Sequence, residues 1–397
     1  MKNDKRYHIE ITKGDNMELE NSLKKVFLDI NEAQRPPAFV YQSKSWAQRE
    51  RNFLFQNSWH FACLSNDIKE PGSYILKTYL DTNIITIRGS DLKIRSFINS
   101  CRHHGAPVIE KDSGKIKQIT CPYHKWTYST EGKIKKTTGY EINNKCKNEK
   151  NLDLVEIPCE TRENMVFICL EKSPTLGIDQ FLGNYLEKIA RPHSTKDMRC
   201  VQRRKYQIKA NWKLYTEVDM ETLHTPFIHT ESIGKQAVEG IDSEGQWMGV
   251  FHLSKETAAL KPKDKHLQLP PNKDSYGEGL KGTHFCIIFP GFFVINSIDC
   301  MWWIQKIPIN ETETSIEVGY AFDESIIETK EFKENCEKYF ERLDQVIRED
   351  DMIVQYQQKG LHNEVTGNYT DAEKNVHKFD KKIIKIILSS EFSDEKS

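Results

Sequence analysis

No apolar run in this chain is long enough to cross a bilayer. The longest, Phe285 to Ile298, is interrupted by Pro290 and Gly291 and falls short of the roughly 20 residues a spanning helix needs. It reads as buried strand. Net charge is also nearly absent: 57 basic against 58 acidic side chains leave −1. Neither nucleic acid nor an acidic membrane surface is therefore implied as a partner. The first sixteen residues are charged and mixed, unlike a secretory leader. The expected location is cytoplasmic, where ten scattered cysteines stay reduced or bind metal. There is no Gly-x-Gly-x-x-Gly after a strand and no Cys-x4-Cys-x2-Cys run. Neither a bound nucleotide or flavin nor a plant-type iron–sulfur cluster is expected in this chain.

What is present suits two packed domains: 397 residues, 38% of them hydrophobic. Residues 1–57 read as a helical arm, with a break at Arg35-Pro36-Pro37 and a second helix over 45–57 carrying Trp46, Phe53, Leu54 and Phe55. Residues 58–170 read as an all-β domain, with strands near 73–78, 82–88, 92–99 and 164–170. Residues 171–388 read as α+β. Helices are expected there at 178–190, 213–224 and 328–361, with strands at 200–209, 247–253, 284–296, 298–307 and 315–321. A short amphipathic piece, 382–388, precedes a loose tail at 389–397. The lysine-rich stretch 133–150 reads as a solvated loop.

Two constellations carry chemistry. In the β-rich region, Cys101-Arg102-His103 is followed by Cys121-Pro122-Tyr123-His124. Each half supplies one thiolate and one imidazole, so two short loops can clamp a diiron cluster. One iron takes the thiolates, while neutral imidazoles on the other raise its potential. With 10 Cys and 13 His in the chain, either half is expected by chance about 0.3 times. Both together are far rarer. The competing structural zinc would usually take a Cys pair followed by a His pair, whereas here the types alternate.

The second constellation is Asn211-Trp212-Lys213, then Glu217, Asp219, Glu221, His224 and His229. Two imidazoles and a carboxylate can hold iron(II) on one face and leave positions free for dioxygen and an adjacent substrate. Glu221 and His224, three apart, are expected on one helix face. Pro226 is expected to break that helix so that His229 folds back. By itself this pattern also fits two partly buried histidines satisfied by nearby acids.

Together these residues resemble the Rieske-type non-haem iron oxygenases. Cys101-Arg-His103-His104-Gly105 and Cys121-Pro-Tyr-His124-Lys-Trp-Thr-Tyr128 look like the cluster signature. The extra cysteines of respiratory Rieske proteins are replaced by Ala106 and Tyr123. The second stretch is similar to the family's N-W-K-x3-E-N-x2-[DE]-x-Y-H-x4-H, departing at Val218 and Leu223. The resemblance implies a two-iron, two-sulfur cluster on Cys101, His103, Cys121 and His124. It also implies a mononuclear iron on His224, His229 and a later carboxylate. Asp350 takes that position, with Asp351 as runner-up, because 348–361 resembles the family's late acidic helix. The implied fold is a Rieske domain plus a helix-grip catalytic domain, an antiparallel sheet with flanking helices.

By the same resemblance Glu221 links one subunit's His124 to the next subunit's His224, which implies a head-to-tail homotrimer. Most members use Asp there; Glu is similar to the subgroup oxidising carnitine, choline or betaines. The implied reaction uses O2 and electrons from a separate NAD(P)H-dependent reductase to hydroxylate or demethylate a quaternary ammonium compound or amine. An aromatic-ring oxygenase is the alternative. Candidate pocket residues are Phe251, His284, Phe289, Phe292, Phe293, Trp302 and Trp303.

Overall fold

The computed structural model describes residues 15–139, 152–233, 236–363 and 365–389. The expected N-terminal arm before residue 15, the lysines of 140–150 and the tail beyond 389 lie outside the described residues.

Short runs of β-branched and aromatic residues make eleven strands in the first half. They are β1 (Trp59–Leu64), β2 (Ser73–Tyr79), β3 (Thr82–Arg88), β4 (Ile94–Ile98), β5 (Ser113–Lys115), β6 (Ile119–Thr120), β7 (Thr127–Tyr128), β8 (Ile134–Lys136), β9 (Glu156–Ile157), β10 (Cys159–Arg162) and β11 (Met165–Cys169). They form three sheets, ordered β5-β2-β3-β4-β9, β6-β7-β8 and β1-β11-β10. β4 starts later than expected because Leu92 sits in a turn at φ +67°. Phe97, Trp126 and Tyr128 pack with Cys101 and Cys121 in a small core. The two cysteine loops are thus tied to rigid strands.

The second half is one antiparallel seven-stranded sheet ordered β12-β18-β17-β16-β15-β14-β13. Its strands are β12 (Met198–Ile208), β13 (Glu239–Gly240), β14 (Trp247–Leu253), β15 (Gly282–Ile288), β16 (Phe292–Asn296), β17 (Met301–Asn310) and β18 (Glu313–Asp323). The single strand expected over 284–296 is a hairpin, because Pro290 and Gly291 turn the chain. The next strand begins only at Met301, since Ser297 donates its N–H to Cys300 O and closes a turn. The helix expected over 178–190 is two pieces, Ile178–Leu182 and a wider turn at Leu186–Ala190, separated by Gly183 at φ +52°.

One long helix, Lys330–Gly360, lies across the sheet. Thr329 caps it, its Oγ1 accepting from Phe332 N–H. Phe340, Leu343, Ile347, Asp350, Val354 and Gln358 recur at helical spacing as its buried stripe. Each large apolar side chain buried there contributes roughly 1.5–3 kcal/mol. The expected piece at 382–388 is the end of a longer helix, Lys374–Ser389, which buries Phe379 and Ile383. The helix expected over 45–57 is Lys44–Arg49 followed by wider turns to Phe55.

The sheet has two unlike faces. On one, Phe292 stacks on Phe61 of β1 at 4.4 Å, and Trp303 meets the same ring at 5.1 Å. A Cβ on Gly319 would stand 2.0 Å from the Trp303 ring, so only glycine fits beneath it. This face joins the two halves of the chain. The other face carries the candidate iron site.

Candidate metal centres

The two cysteine loops share one backbone frame. Cys101 N–H donates to Ala106 O and Gly105 N–H to Cys101 O; Cys121 N–H donates to Trp126 O and Lys125 N–H to Cys121 O. Gly105 and Lys125 occupy the same loop position, at φ +78° and +58°. Each loop therefore reverses over its cysteine and projects its histidine outward. Cys101 and Cys121 are buried, while His103 is exposed and stacks on Trp126 at 4.7 Å and 6°. The His103 and His124 rings meet at 4.6 Å. His104 also lies close to both. Tyr128 OH accepts from Arg102 N–H and lies 3.2 Å from Cys101 Sγ. The donor set is two buried sulfurs beneath two outward imidazoles, which suits a cluster with one inner and one outer iron.

The second site begins with a clamp. The helix Trp212–Val218 is wholly buried. Lys213 Nζ lies 2.7 Å from Glu50 Oε1, and Glu50 also accepts from the indoles of Trp46 and Trp212 at 2.8 and 2.9 Å. Glu217 pairs with Arg35 and accepts from Tyr41 OH at 2.7 Å. Asn211, Trp212, Lys213 and Glu217 thus do not touch the site; they lock its helix to the N-terminal arm.

The helix expected to reach His224 stops at Val218. The Glu221 carboxylate accepts the N–H groups of Leu223 and His224, donors that a continuing helix would commit to carbonyls one turn back. Glu221 and His224 therefore meet in a loop, with Glu221 Oε1 against His224 Nδ1. Pro226 does not break a helix. It sits in the first turn of a new one, Thr225–Ile228, where a missing N–H costs nothing.

That turn delivers His229, whose Nε2 lies 3.2 Å from His224 Nε2. Asp350 Oδ1 stands 3.0 Å from His229 Nε2 and 3.6 Å from His224 Nε2. Atoms about 2.1 Å from a common ion lie about 3.0 Å apart at right angles and about 3.4 Å apart at tetrahedral angles. The three fit that spacing. Asp350 Oδ1 is also buried without a hydrogen bond of ordinary geometry, as a ligand atom awaiting a cation would be. Asp351 points elsewhere, accepting from Tyr206 OH at 3.2 Å, and burial pushes its carboxyl up to about 6.

Pattern reading does not pick out the supporting shell. Glu349 Oε2 lies 2.7 Å from His229 Nδ1 and accepts from Ser232 Oγ at 2.6 Å, while Gln345 donates to Oε1. Asp219, also in the motif, forms a buried pair with Lys306. A lysine within a largely apolar strand is the available signal.

A cavity of about 650 Å³, including its open mouth, reaches the triad. Strand register supplies its wall: Val250, Phe285, Ile295 and Trp302 pair across β14 to β17 in one row, and Phe293 and Ile304 form the next. Of the seven expected pocket residues only Phe293 and Trp302 line it. Phe292 and Trp303 face the opposite side of the sheet. His284 is buried against His193 with Phe251 beside it, and Phe289 packs on Phe379. Phe285 was not anticipated; alternation along β15 puts it, and not His284, on the cavity side.

A family model described as the Rieske [2Fe-2S] domain matches residues 58–144, and one described as the ring hydroxylating alpha subunit (catalytic domain) matches 195–389. A choline monooxygenase, chloroplastic, of Spinacia oleracea is 24% identical over 360 residues, 88% of this chain and 77% of the relative. The carnitine monooxygenase oxygenase subunit of Acinetobacter baumannii is 30% identical over 190 residues, 47% of this chain and 50% of the relative. The crystal structure of a quaternary ammonium Rieske monooxygenase superposes with a TM-score of 0.75 at 21% identity, covering 89% of this chain and 95% of the other. Naphthalene 1,2-dioxygenase from Rhodococcus sp. gives 0.77 at 16% identity, covering 95% and 99%. Both structural likenesses speak for the fold.

Proposed function

Since this chain belongs to the Rieske-type ring-hydroxylating oxygenases, as their alpha, or oxygenase, component, we propose that it hydroxylates or demethylates a quaternary ammonium compound or amine. The carrying observation is the convergence of His224, His229 and Asp350 at the end of a cavity. The sequence relatives named for choline and carnitine support the substrate class. A wall of Val250, Phe285, Ile295 and Ile304 favours a second reading, an aromatic-ring oxygenase acting on an arene.

The family's cofactors are a [2Fe-2S] cluster and a mononuclear iron. In this reading Cys101, His103, Cys121 and His124 hold the cluster, and His224, His229 and Asp350 hold the iron. The proposed domains are an N-terminal arm over 1–57, a Rieske domain over 58–170 and a catalytic domain over 171–388, and among the described residues Arg35, Tyr41 and Glu50 of the arm pack against the last. When bound, the cluster stores single electrons and the ferrous ion activates dioxygen beside the substrate.

The chain's own residues prepare that chemistry. Glu349 accepts a hydrogen bond from Nδ1–H of His229, and Glu221 from Nδ1–H of His224, so each ring keeps its Nε2 lone pair free for the metal. The apolar row forms one wall of the cavity, giving the substrate a nonpolar surface beside the metal site.

Oxygenase components of this family work with a separate electron-transfer partner. Here an NAD(P)H-dependent reductase in the cytoplasm is the proposed donor. Glu221 is proposed to bridge His124 of one subunit to His224 of the next within a homotrimer. Exposed apolar residues flank both ends of that contact: Tyr123 beside His124, and Leu223 and Phe227 beside His224.

Two measurements test the proposal. Purified protein should hold three irons and two inorganic sulfides per chain, and its oxygen uptake with a reductase should rise on adding carnitine or choline. Two irons per chain would leave only an electron carrier. Uptake raised by naphthalene and not by the ammonium compounds would select the arene reading.

A further inference from the structure

Two buried cations stand near the triad, and the chain neutralises one of them. Lys306 pairs with Asp219. Arg342, on the long helix, is 2% exposed and has no salt bridge or hydrogen bond among the described residues; its Nε is buried without a partner. The guanidinium lies over the Trp302 ring at 5.8 Å. Such a contact returns only part of what a cation loses on leaving water. The nearby acids are turned elsewhere: Glu349 accepts from Ser232 and Gln345 and meets His229, and Asp350 faces the two triad histidines, so neither forms an ion pair with Arg342, although both carboxylates lie near enough to feel its charge.

Arg342 also marks a junction. It borders the cavity that holds the triad and a second, polar cavity of about 600 Å³, including its mouth, which contains Lys265 and Glu256. Ile233 and Gln236 are the other residues shared by the two. Eight residues separate Arg342 from Asp350 along one helix, about 12 Å between Cα atoms. A buried, unpaired guanidinium two helical turns from an iron ligand, lining the same cavity as the triad, suits an anionic group of a substrate whose other end reaches the triad.

We propose that Arg342 receives a carboxylate of the substrate, so that the substrate is a zwitterion with its ammonium end at the triad and its carboxylate at the junction of the two cavities. This deepens, and rests on, the quaternary ammonium reading above. The planar guanidinium matches a carboxylate through two parallel N–H bonds. The ammonium end meets the ring of Phe285 on the cavity wall; the Phe293 ring already has Lys306 Nζ over it at 5.4 Å. A cation without a carboxylate, such as choline, would meet Arg342 as an uncompensated like charge.

The test is calorimetric binding of carnitine, choline and hexanoate to the metal-loaded protein and its Arg342→Gln variant, with thermal unfolding of both free proteins. Wild type should bind carnitine at least about 10-fold tighter than choline. The variant should lose roughly 10- to 100-fold for carnitine, the range for a charge-assisted pair, and should bind choline more tightly than wild type does, since a like charge has been removed. Without ligand it should unfold at or above the wild-type temperature, because a buried charge lacking a partner has been removed. Unfolding well below wild type would show a structural arginine and overturn the proposal, as would a wild-type preference for choline. Hexanoate binding that is lost in Arg342→Gln, with neither ammonium compound bound, would keep the carboxylate site and sink the ammonium reading alone.

Discussion

Glu349 Oε2 lies 2.7 Å from Nδ1 of His229. The next residue along the helix, Asp350, reaches Nε2 of the same ring at 3.0 Å. Consecutive carboxylates thus grip both nitrogens of one imidazole. One fixes the tautomer, and the other shares the metal side with the ring. The His229 side chain is almost fully buried, 1% exposed, so water does not replace either partner.

Glu349→Gln removes the acceptor charge while keeping the shape. Iron affinity of the mononuclear site, or oxygen uptake, should fall roughly 10- to 100-fold, as for other partners of ligating histidines. Iron titration with the cluster absorbance as internal standard checks this. An unchanged affinity would mean that the charge of Glu349 is not what orients the ring.

His224→Ala and Asp350→Ala should each leave two irons per chain instead of three, with the cluster spectrum intact and turnover abolished. Asp351→Asn should keep all three, because Asp351 faces Tyr206 and not the triad. Loss of the third iron in Asp351→Asn with retention in Asp350→Asn would reverse the assignment.

Tyr128 is placed to donate to Cys101 Sγ at 3.2 Å when the sulfur is a thiolate. A hydrogen bond to sulfur stabilises the reduced, more negative cluster. Tyr128→Phe should lower the midpoint potential by about 40 mV, taking about 1 kcal/mol per bond and one electron. Protein-film voltammetry reads this directly, and an unchanged potential would show that the hydroxyl serves only Arg102 N–H.

Glu50 and Lys213 are each 2% exposed and 2.7 Å apart. Glu50→Ala strands the Lys213 charge and two indole N–H groups. Unfolding free energy should drop by about 3–5 kcal/mol. A loss below about 1 kcal/mol would show that the N-terminal arm does not clamp the site helix.

Burial holds His60 neutral, its imidazole pulled down to about 4, with Nε2–H donating to Phe55 O at 2.6 Å. The unfolded chain binds this proton near pH 6.5 and the folded chain does not. Stability is therefore fully present above pH 6.5 and falls as pH drops toward 4, by roughly 2 kcal/mol at pH 5 for this residue. His60→Gln should flatten that slope in denaturant titrations between pH 7.5 and 5. Identical slopes would mean that His60 is protonated in the folded state.

Much of the site was legible in the chain, since its residues lie close together in sequence. Each cysteine loop spans six residues from Cys101 to Ala106 and from Cys121 to Trp126, so local hydrogen bonds alone determine how cysteine and histidine are presented. His224 and His229 are similarly joined by a single turn. The β-rich first half and the long acidic helix also follow from local alternation and periodicity.

Tertiary structure decided the rest. Whether Glu349, Asp350 or Asp351 faces the histidines depends on the rotation of a 31-residue helix against a sheet, which the packing of Leu343, Ile347 and Val354 sets. Which aromatics line the cavity depends on strand register, and a shift of one residue exchanges Phe292 for Phe293. The end of the site helix at Val218 turned on a side-chain carboxylate competing for backbone N–H groups, a contest propensity does not predict. Arg342 reads in the sequence as one more charge on a charged helix. Only the closing of the sheet over it, with no acid in ion-pair contact among the described residues, makes it a buried cation without a hydrogen-bonded partner.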